Sequence, residues 1–356
     1  MSKYFQSVRI SQIIRETEDC VSICFDADTN AAFKYLEGQN ITVRKTINGE
    51  EIRRSYSVCN APYEGVLKIA IKQVDGGLFS TFANNALKEG DVLDIMPPTG
   101  KFNAHLDTKR NHYLAIAAGS GITPVISIIK HTLHTQPDSR FTIIYGNRKR
   151  SSIIFFEELE NLKNRYMDRL NLIHILSREK TNASLNYGRI DEEKLSELAK
   201  VINYTELGAA YLCGPESMIF SSATFLEKSG LEKSRIHFEL FTTPGETKKN
   251  KKEIIATEEE TGPKSKVTIK LDGRSFSFDL SYNGNNVLDA ALQQGADLPY
   301  ACKGGVCCTC KAQLLEGNVK MDLNYALEEE EIEQGYILTC QAHPTSDKVV
   351  IDFDVK

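Results

Sequence analysis

The chain has 356 residues, 41% of them hydrophobic and 26% charged, with a formal charge of −5. That length exceeds one comfortable core and predicts two or three domains, and the composition excludes a disordered chain. Without a basic block the size of a domain, nucleic-acid binding is not the expected activity, and the expected partner is a protein or a small molecule.

In chain order, residues 1–105 hold short alternating segments at 6–16, 21–26, 39–43, 54–58, 67–74 and 92–96. They are punctuated by Asn48-Gly49, Asp75-Gly76-Gly77 and Glu89-Gly90-Asp91. Many short strands with such turns predict an antiparallel β-barrel. The first twenty residues are alternating and polar, with no apolar stretch of the kind a signal peptide needs, so a cytoplasmic protein is expected.

Between 106 and 245 the period changes. Apolar strands at 112–117, 141–145, 170–176, 209–213 and 236–241 alternate with helical stretches at 124–134, 155–166, 192–203 and 216–229. That alternation predicts an α/β domain with a parallel sheet whose strand C-termini form the binding edge. The apolar run 113–129 is interrupted by Gly119, Ser120, Gly121, Thr123 and Pro124, which fits a turn and not a membrane span. Residues 246–264, a basic run followed by an acidic one, read as a solvated linker. A third domain follows at 265–356, with a hairpin at Asp272-Gly273, a helix near 286–294 and a strand near 349–353.

Of nine cysteines, four fall between 302 and 310, which is not the distribution of a disulfide scaffold. Cys302, Cys307 and Cys310, with Cys340 thirty positions on, give the spacing C-x4-C-x2-C…C of a plant-type [2Fe–2S] site. Gly304 and Gly305 allow the loop to wrap closely around a cluster. A four-cysteine zinc site remains as an alternative, although zinc sites usually pair two C-x2-C units and only one is present. Cys308 is read as a filler, and Cys20, Cys24 and Cys59 as core residues.

Three other segments carry chemistry. In Arg53-Arg54-Ser55-Tyr56-Ser57, strand alternation puts Arg54 and Tyr56 on one face, where a phosphate clamp and a ring support can coexist. Ala117 to Pro124 reads G-x-G-x-x-P between a strand and a helix, a turn suited to a pyrophosphate. Cys213-Gly214-Pro215-Glu216-Ser217-Met218 closes a later strand. Arg148 and Ser177-Arg178, after the second and third strands of this block, could pair with a 2′-phosphate and favour NADPH over NADH.

Taken with Pro299 to Cys307 and Gly335 to Gln341, these motifs resemble the ferredoxin–NADP reductase superfamily over nearly the full length, in the order flavin domain, nicotinamide domain, C-terminal plant-type ferredoxin of β-grasp fold. The resemblance implies FAD held by Arg54, Ser55, Tyr56 and Ser57, with Ile71, Val74, Gly77, Leu78 and Ser80 lining its pyrophosphate and ring. It implies a nicotinamide cofactor on Gly119, Gly121, Thr123, Pro124, Arg148, Ser177 and Arg178. Cys213, Gly214, Pro215, Met218 and Phe241 then flank the place where nicotinamide meets flavin, and Tyr56, Ser57 and Cys213 serve hydride transfer. Cys302, Cys307, Cys310 and Cys340 hold the cluster. The implied electron acceptor is an oxygenase or hydroxylase, in the first place a diiron phenylacetyl-CoA epoxidase. The acidic run 328–331 reads as a solvated loop, with a docking patch as the alternative. A reductase for another hydroxylase or desaturase, a redox-sensing module, and a flavin reductase with a structural zinc domain are the competing readings.

Overall fold

A computed structural model describes residues 4–27, 31–104, 110–181, 183–241 and 263–355. Of these, the residues between 5 and 241 form one compact unit and 263–355, with Tyr4, another.

The first unit opens with β1 (Gln6–Thr17), β2 (Cys20–Phe25), β3 (Asn40–Ile47), β4 (Glu50–Ser57), β5 (Leu67–Lys72), α1 (Leu78–Asn85) and β6 (Val92–Ile95). The strands run in the order β4-β3-β6-β1-β2-β5, every pair antiparallel. A bridge between Val58 and Ile69 brings the two end strands together, so the sheet closes into a barrel. β3 and β4 meet at Asn48-Gly49, both with positive φ (53° and 83°), the geometry of a two-residue hairpin turn. Inward-facing Ile23, Ile41, Val43, Ile69, Leu93 and Ile95 fill the barrel.

The same unit continues with β7 (His112–Ala118), α2 (Ile122–Thr135), β8 (Arg140–Asn147), α3 (Phe156–Arg165), β9 (Leu170–Leu176), α4 (Glu192–Leu198), β10 (Ala209–Cys213), α5 (Glu216–Lys228) and β11 (Ile236–Glu239). These strands form an all-parallel sheet, β11-β10-β7-β8-β9. β10 is buried along its whole length, as a strand covered on both faces must be. The helix expected over 192–203 stops at Leu198, with Val201 exposed and Ile202 buried beyond its end. The last strand ends at Glu239, two residues earlier than expected.

A chain of alternating charges joins barrel and parallel sheet. Glu64, after β4, accepts from Lys130 of α2 at 3.1 Å; Lys130 also pairs with Glu158 of α3, and Glu158 with Lys68 of β5 at 3.3 Å. Lys68 in turn lies 3.7 Å from Glu16 of β1. Burial pushes the Glu158 carboxyl up, but the two ammonium groups outweigh it and hold it below its ordinary value. Ser127 of α2 adds a hydrogen bond to the Asn60 carbonyl at 2.6 Å. The helix that starts at the glycine-rich turn is thereby fixed to the barrel.

The second unit contains β12 (Lys264–Leu271), β13 (Arg274–Ser281), α6 (Val287–Gln293), β14 (Lys311–Glu316), β15 (Val319–Met321), α7 (Glu329–Glu333), β16 (Tyr336–Leu338), β17 (Ala342–Pro344) and β18 (Lys348–Asp352). Its main sheet has the order β13-β12-β18-β14-β16, with β12 and β18 parallel and the remaining pairs antiparallel. α6 packs its Val287, Leu288 and Ala291 into the core of this sheet. The expected hairpin at Asp272-Gly273 is present, both residues at positive φ. The expected linker is outside the described residues up to 262, and β12 takes its last position, 264.

Candidate functional site

On β4, alternation separates neighbours as expected. Arg53 turns inward, buried and paired with Glu51 at 2.8 Å, its guanidinium 5.0 Å from the Phe5 ring. Arg54 is exposed on the other face and donates to the Arg53 carbonyl at 2.7 Å, with its charge open to solvent and to a phosphate. Tyr56 is half-buried with its ring 5.8 Å from Phe79, and Ser55 lies 3.3 Å from Thr42.

The glycine-rich segment after β5 leads into α1, whose N-terminus has no side-chain cap. Its first amides thus lack a capping side chain, and such a helix start favours an anion. An added Cβ on Gly77 would sit 2.5 Å from Ser80 Oγ and 3.1 Å from the Val74 carbonyl, so the turn requires glycine. Ser80 is buried, accepting from the Val74 amide at 3.1 Å and donating to the Gly77 carbonyl at 3.3 Å. These two bonds tie the Ser80 hydroxyl to the backbone of the loop. Ile71 lies in the barrel core with its carbonyl accepting from Asn84, whereas Val74 and Leu78 are exposed apolar residues. A cationic side chain, open helix amides and uncovered apolar surface are what an FAD requires.

On the parallel sheet, Gly119 has φ +54° with open space where a side chain would be, and its carbonyl accepts from Tyr145 Oη at 2.9 Å. Gly121 is different: an added Cβ would lie 2.1 Å from the Cys213 carbonyl oxygen. The two nicotinamide motifs are therefore in direct backbone contact. Thr123 donates to the Ser120 carbonyl at 3.0 Å, and Pro124 is buried in the first turn of α2, so both act on the turn's shape. Gly214 has φ +157° and leaves room for Met218, which is buried; Pro215 precedes the first turn of α5.

Arg148 and Arg178 follow adjacent strands and are tied together by backbone, the Arg178 amide donating to the Arg148 carbonyl at 2.9 Å. Both side chains are exposed, and Ser177 donates to the Asn147 carbonyl at 3.3 Å. The nearby carboxylate of Glu179 is occupied by the Arg150 amide at 2.8 Å.

The barrel and the parallel sheet meet at a cluster that the sequence shows only in outline. Ser57, ending β4, donates to Glu239, ending β11, at 3.1 Å. Glu239 pairs in register with Cys213 of β10. Desolvation raises the Glu239 carboxyl to about 7, against smaller opposing effects of hydrogen bonds from Ser57 and Asn40. Burial, then the nearby Glu239, raises the Cys213 thiol well above its ordinary value and keeps it neutral. Phe241, two residues beyond Glu239, is exposed.

In the second unit the four cysteines gather two by two. Cys307 Sγ donates to Cys302 Sγ at 3.1 Å, and Cys310 pairs with Cys340. The Cys307 hydrogen bond, followed by amides of Gly304, Val306 and Cys307, draws the Cys302 thiol down to about 6 against its burial. Cys340 is lowered chiefly by Cys310. Among the described residues no three cysteine, histidine or acidic side chains converge on one ion. Two pairs fit a two-iron cluster, one pair to each iron, better than a single tetrahedral zinc. Gly305, at φ +73°, passes 3.0 Å from the Leu323 carbonyl on the measure of an added Cβ, so the wrap is tight. Cys308 instead points its Sγ at the Ala326 carbonyl, 3.2 Å away, while Cys20, Cys24 and Cys59 are buried in the first unit.

Comparison with known proteins agrees with this division. Residues 7–104 match the oxidoreductase FAD-binding domain family, 115–223 the oxidoreductase NAD-binding domain, and 269–345 the 2Fe-2S iron-sulfur cluster binding domain. The chain is 43% identical to a subunit of the 1,2-phenylacetyl-CoA epoxidase of Escherichia coli (strain K12), covering 99% of this chain and 98% of that one. It is 32% identical to the ferredoxin reductase component of 3-ketosteroid-9-alpha-monooxygenase of Rhodococcus rhodochrous, over 97% and 95% of the two chains. Phthalate dioxygenase reductase shares the fold, with TM-score 0.59, 22% identity and 98% of each chain covered. No helix among the described residues is long and apolar enough to cross a membrane. The chain belongs to the ferredoxin-reductase-type oxidoreductases that carry flavin, nicotinamide and 2Fe-2S domains in one polypeptide.

Proposed function

We propose that this protein is the reductase component of a phenylacetyl-CoA epoxidase-type oxygenase, with NADPH as its electron donor. The observation that carries the reading is the full-length 43% identity to the E. coli epoxidase component, with the three redox domains in one order. When bound, the flavin accepts a hydride and releases electrons one at a time, and the iron–sulfur cluster carries single electrons.

The chain's own residues orient and insulate. Arg54 and the open amides of α1 bind the flavin pyrophosphate, and Tyr56 supports its ring. Gly119 and Gly121 admit the nicotinamide pyrophosphate; their contact with Cys213 and Gly214 sets where the nicotinamide ends. Ser57 and Glu239 hold a proton at the junction of the two domains, while the neutral Cys213 keeps water from it. Arg148 and Arg178 recognise the 2′-phosphate, and Cys302, Cys307, Cys310 and Cys340 hold the cluster.

Steady-state reduction of the matching oxygenase, with NADPH and NADH in parallel, tests this reading. NADPH gives the higher kcat/KM. Replacing Arg148 and Arg178 together by Ala costs NADPH about 10- to 100-fold and leaves NADH nearly unchanged, as expected when a charge-assisted phosphate contact is lost. Equal losses with both donors overturn the assignment of the arginines. Failure to support epoxidation of phenylacetyl-CoA, with an artificial acceptor still reduced, overturns the partner.

A further inference from the structure

Gln341 follows Cys340 directly, and its side chain is buried, with 8% of the residue exposed. Its Nε2 lies 3.0 Å from the Lys303 carbonyl, 3.0 Å from the Cys340 carbonyl and 3.6 Å from Cys340 Sγ. Two carbonyl oxygens within reach identify this end of the amide as the NH2 group, because an amide oxygen there would face acceptors only. The contacts form a cross-tie. One acceptor belongs to the loop carrying Cys302, Cys307 and Cys310, and the others belong to the distant fourth cysteine. Glycine at 305 is part of the same fit, since an added Cβ would come within 3.3 Å of Gln341 Cγ.

The chemistry of such a contact is directional. When a cluster takes up one electron, negative charge grows on its sulfur ligands, and an N–H aimed at a ligating sulfur stabilises that form more than the oxidised one. We infer that Gln341 is a positioning residue of the iron–sulfur site: its amide clamps the fourth ligand to the loop and, through its N–H to Cys340 Sγ, favours electron uptake by the cluster. The inference rests on the four cysteines being [2Fe–2S] ligands.

The test uses the full chain. Iron and sulfide per chain are measured first, and the cluster is then titrated with mediating dyes and followed by EPR in wild type, Gln341→Met and Gln341→Glu. Gln341→Met keeps the side-chain shape without a donor; it is expected to retain iron and to become about fivefold harder to reduce at a fixed potential, the effect of one hydrogen bond. Gln341→Glu moves the equilibrium further in the same direction, because a carboxylate adds negative charge. An unmoved equilibrium in an iron-replete Gln341→Met overturns the inference. Where that variant loses iron, pulsed EPR of the reduced wild type with glutamine labelled in its side chain with nitrogen-15 decides. A hyperfine coupling to the label supports the N–H···S contact, and its absence overturns it. A wild-type chain that takes up no iron and sulfide overturns the ligand reading itself, and this inference with it.

Discussion

Removing the Ser57 hydroxyl separates the two influences on Glu239. Desolvation raises that carboxyl to about 7, and the Ser57 hydrogen bond at 3.1 Å works against desolvation by favouring the carboxylate. A hydrogen bond to a charged group is worth about 1.5–3 kcal/mol and one pH unit about 1.4 kcal/mol, so Ser57→Ala raises the Glu239 midpoint by about one to two pH units. The sign for stability follows from the raised value. The neutral carboxyl fits its site at low pH, and stability is lost as pH rises through about 7. In Ser57→Ala the loss still begins near the ordinary carboxyl value but continues to higher pH and becomes larger, and in Glu239→Gln it disappears. Infrared difference titration reads this directly from the protonated carboxyl stretch, with Glu239→Gln identifying the band. A midpoint that falls in Ser57→Ala, or stays in place, refutes the role of the hydroxyl in supporting the ionised form.

Two further substitutions probe the frame. Lys130→Met leaves Glu64 and Glu158 facing each other with one cation fewer; breaking a buried pair costs about 3 kcal/mol, seen as a lower urea midpoint for the unit 5–241, and an unchanged midpoint refutes the role of the charge chain. Gly121→Ala forces a methyl against the Cys213 carbonyl, so the rate of flavin reduction by NADPH in stopped-flow should fall at least about tenfold, as small misplacements at a reacting site do. A near-normal rate would show that the two motifs can separate without consequence.

The parts of this protein that were legible in sequence are those whose physics is local. Cys302, Cys307 and Cys310, three of the four cysteines proposed as cluster ligands, share one short loop, and strand alternation alone distinguished Arg54 from Arg53. The hairpins at Asn48-Gly49 and Asp272-Gly273 follow from two residues each. What was not legible depends on distance. Ser57 and Glu239 are 182 positions apart and come from different sheets, so their hydrogen bond had no sequence signal beyond an acid near the end of a strand. The alternating charges of Glu64, Lys130, Glu158 and Lys68 look in sequence like ordinary surface residues. The internal bonds of the Ser80 and Thr123 hydroxyls to their own turns were likewise not legible, because they depend on the folded backbone of each turn.

The strand order of the second unit also governs when the unit can exist. β18 comes last among its strands in chain order yet lies centrally, between β12 and β14. A ribosome that has delivered the three clustered thiols has not yet delivered Cys340, and even Cys340 has no finished sheet behind it until residue 352 emerges. The sheet behind the four cysteines is therefore complete only once β18 has emerged, and a chain interrupted within β18 would carry all four thiols without the strand that joins β12 to β14.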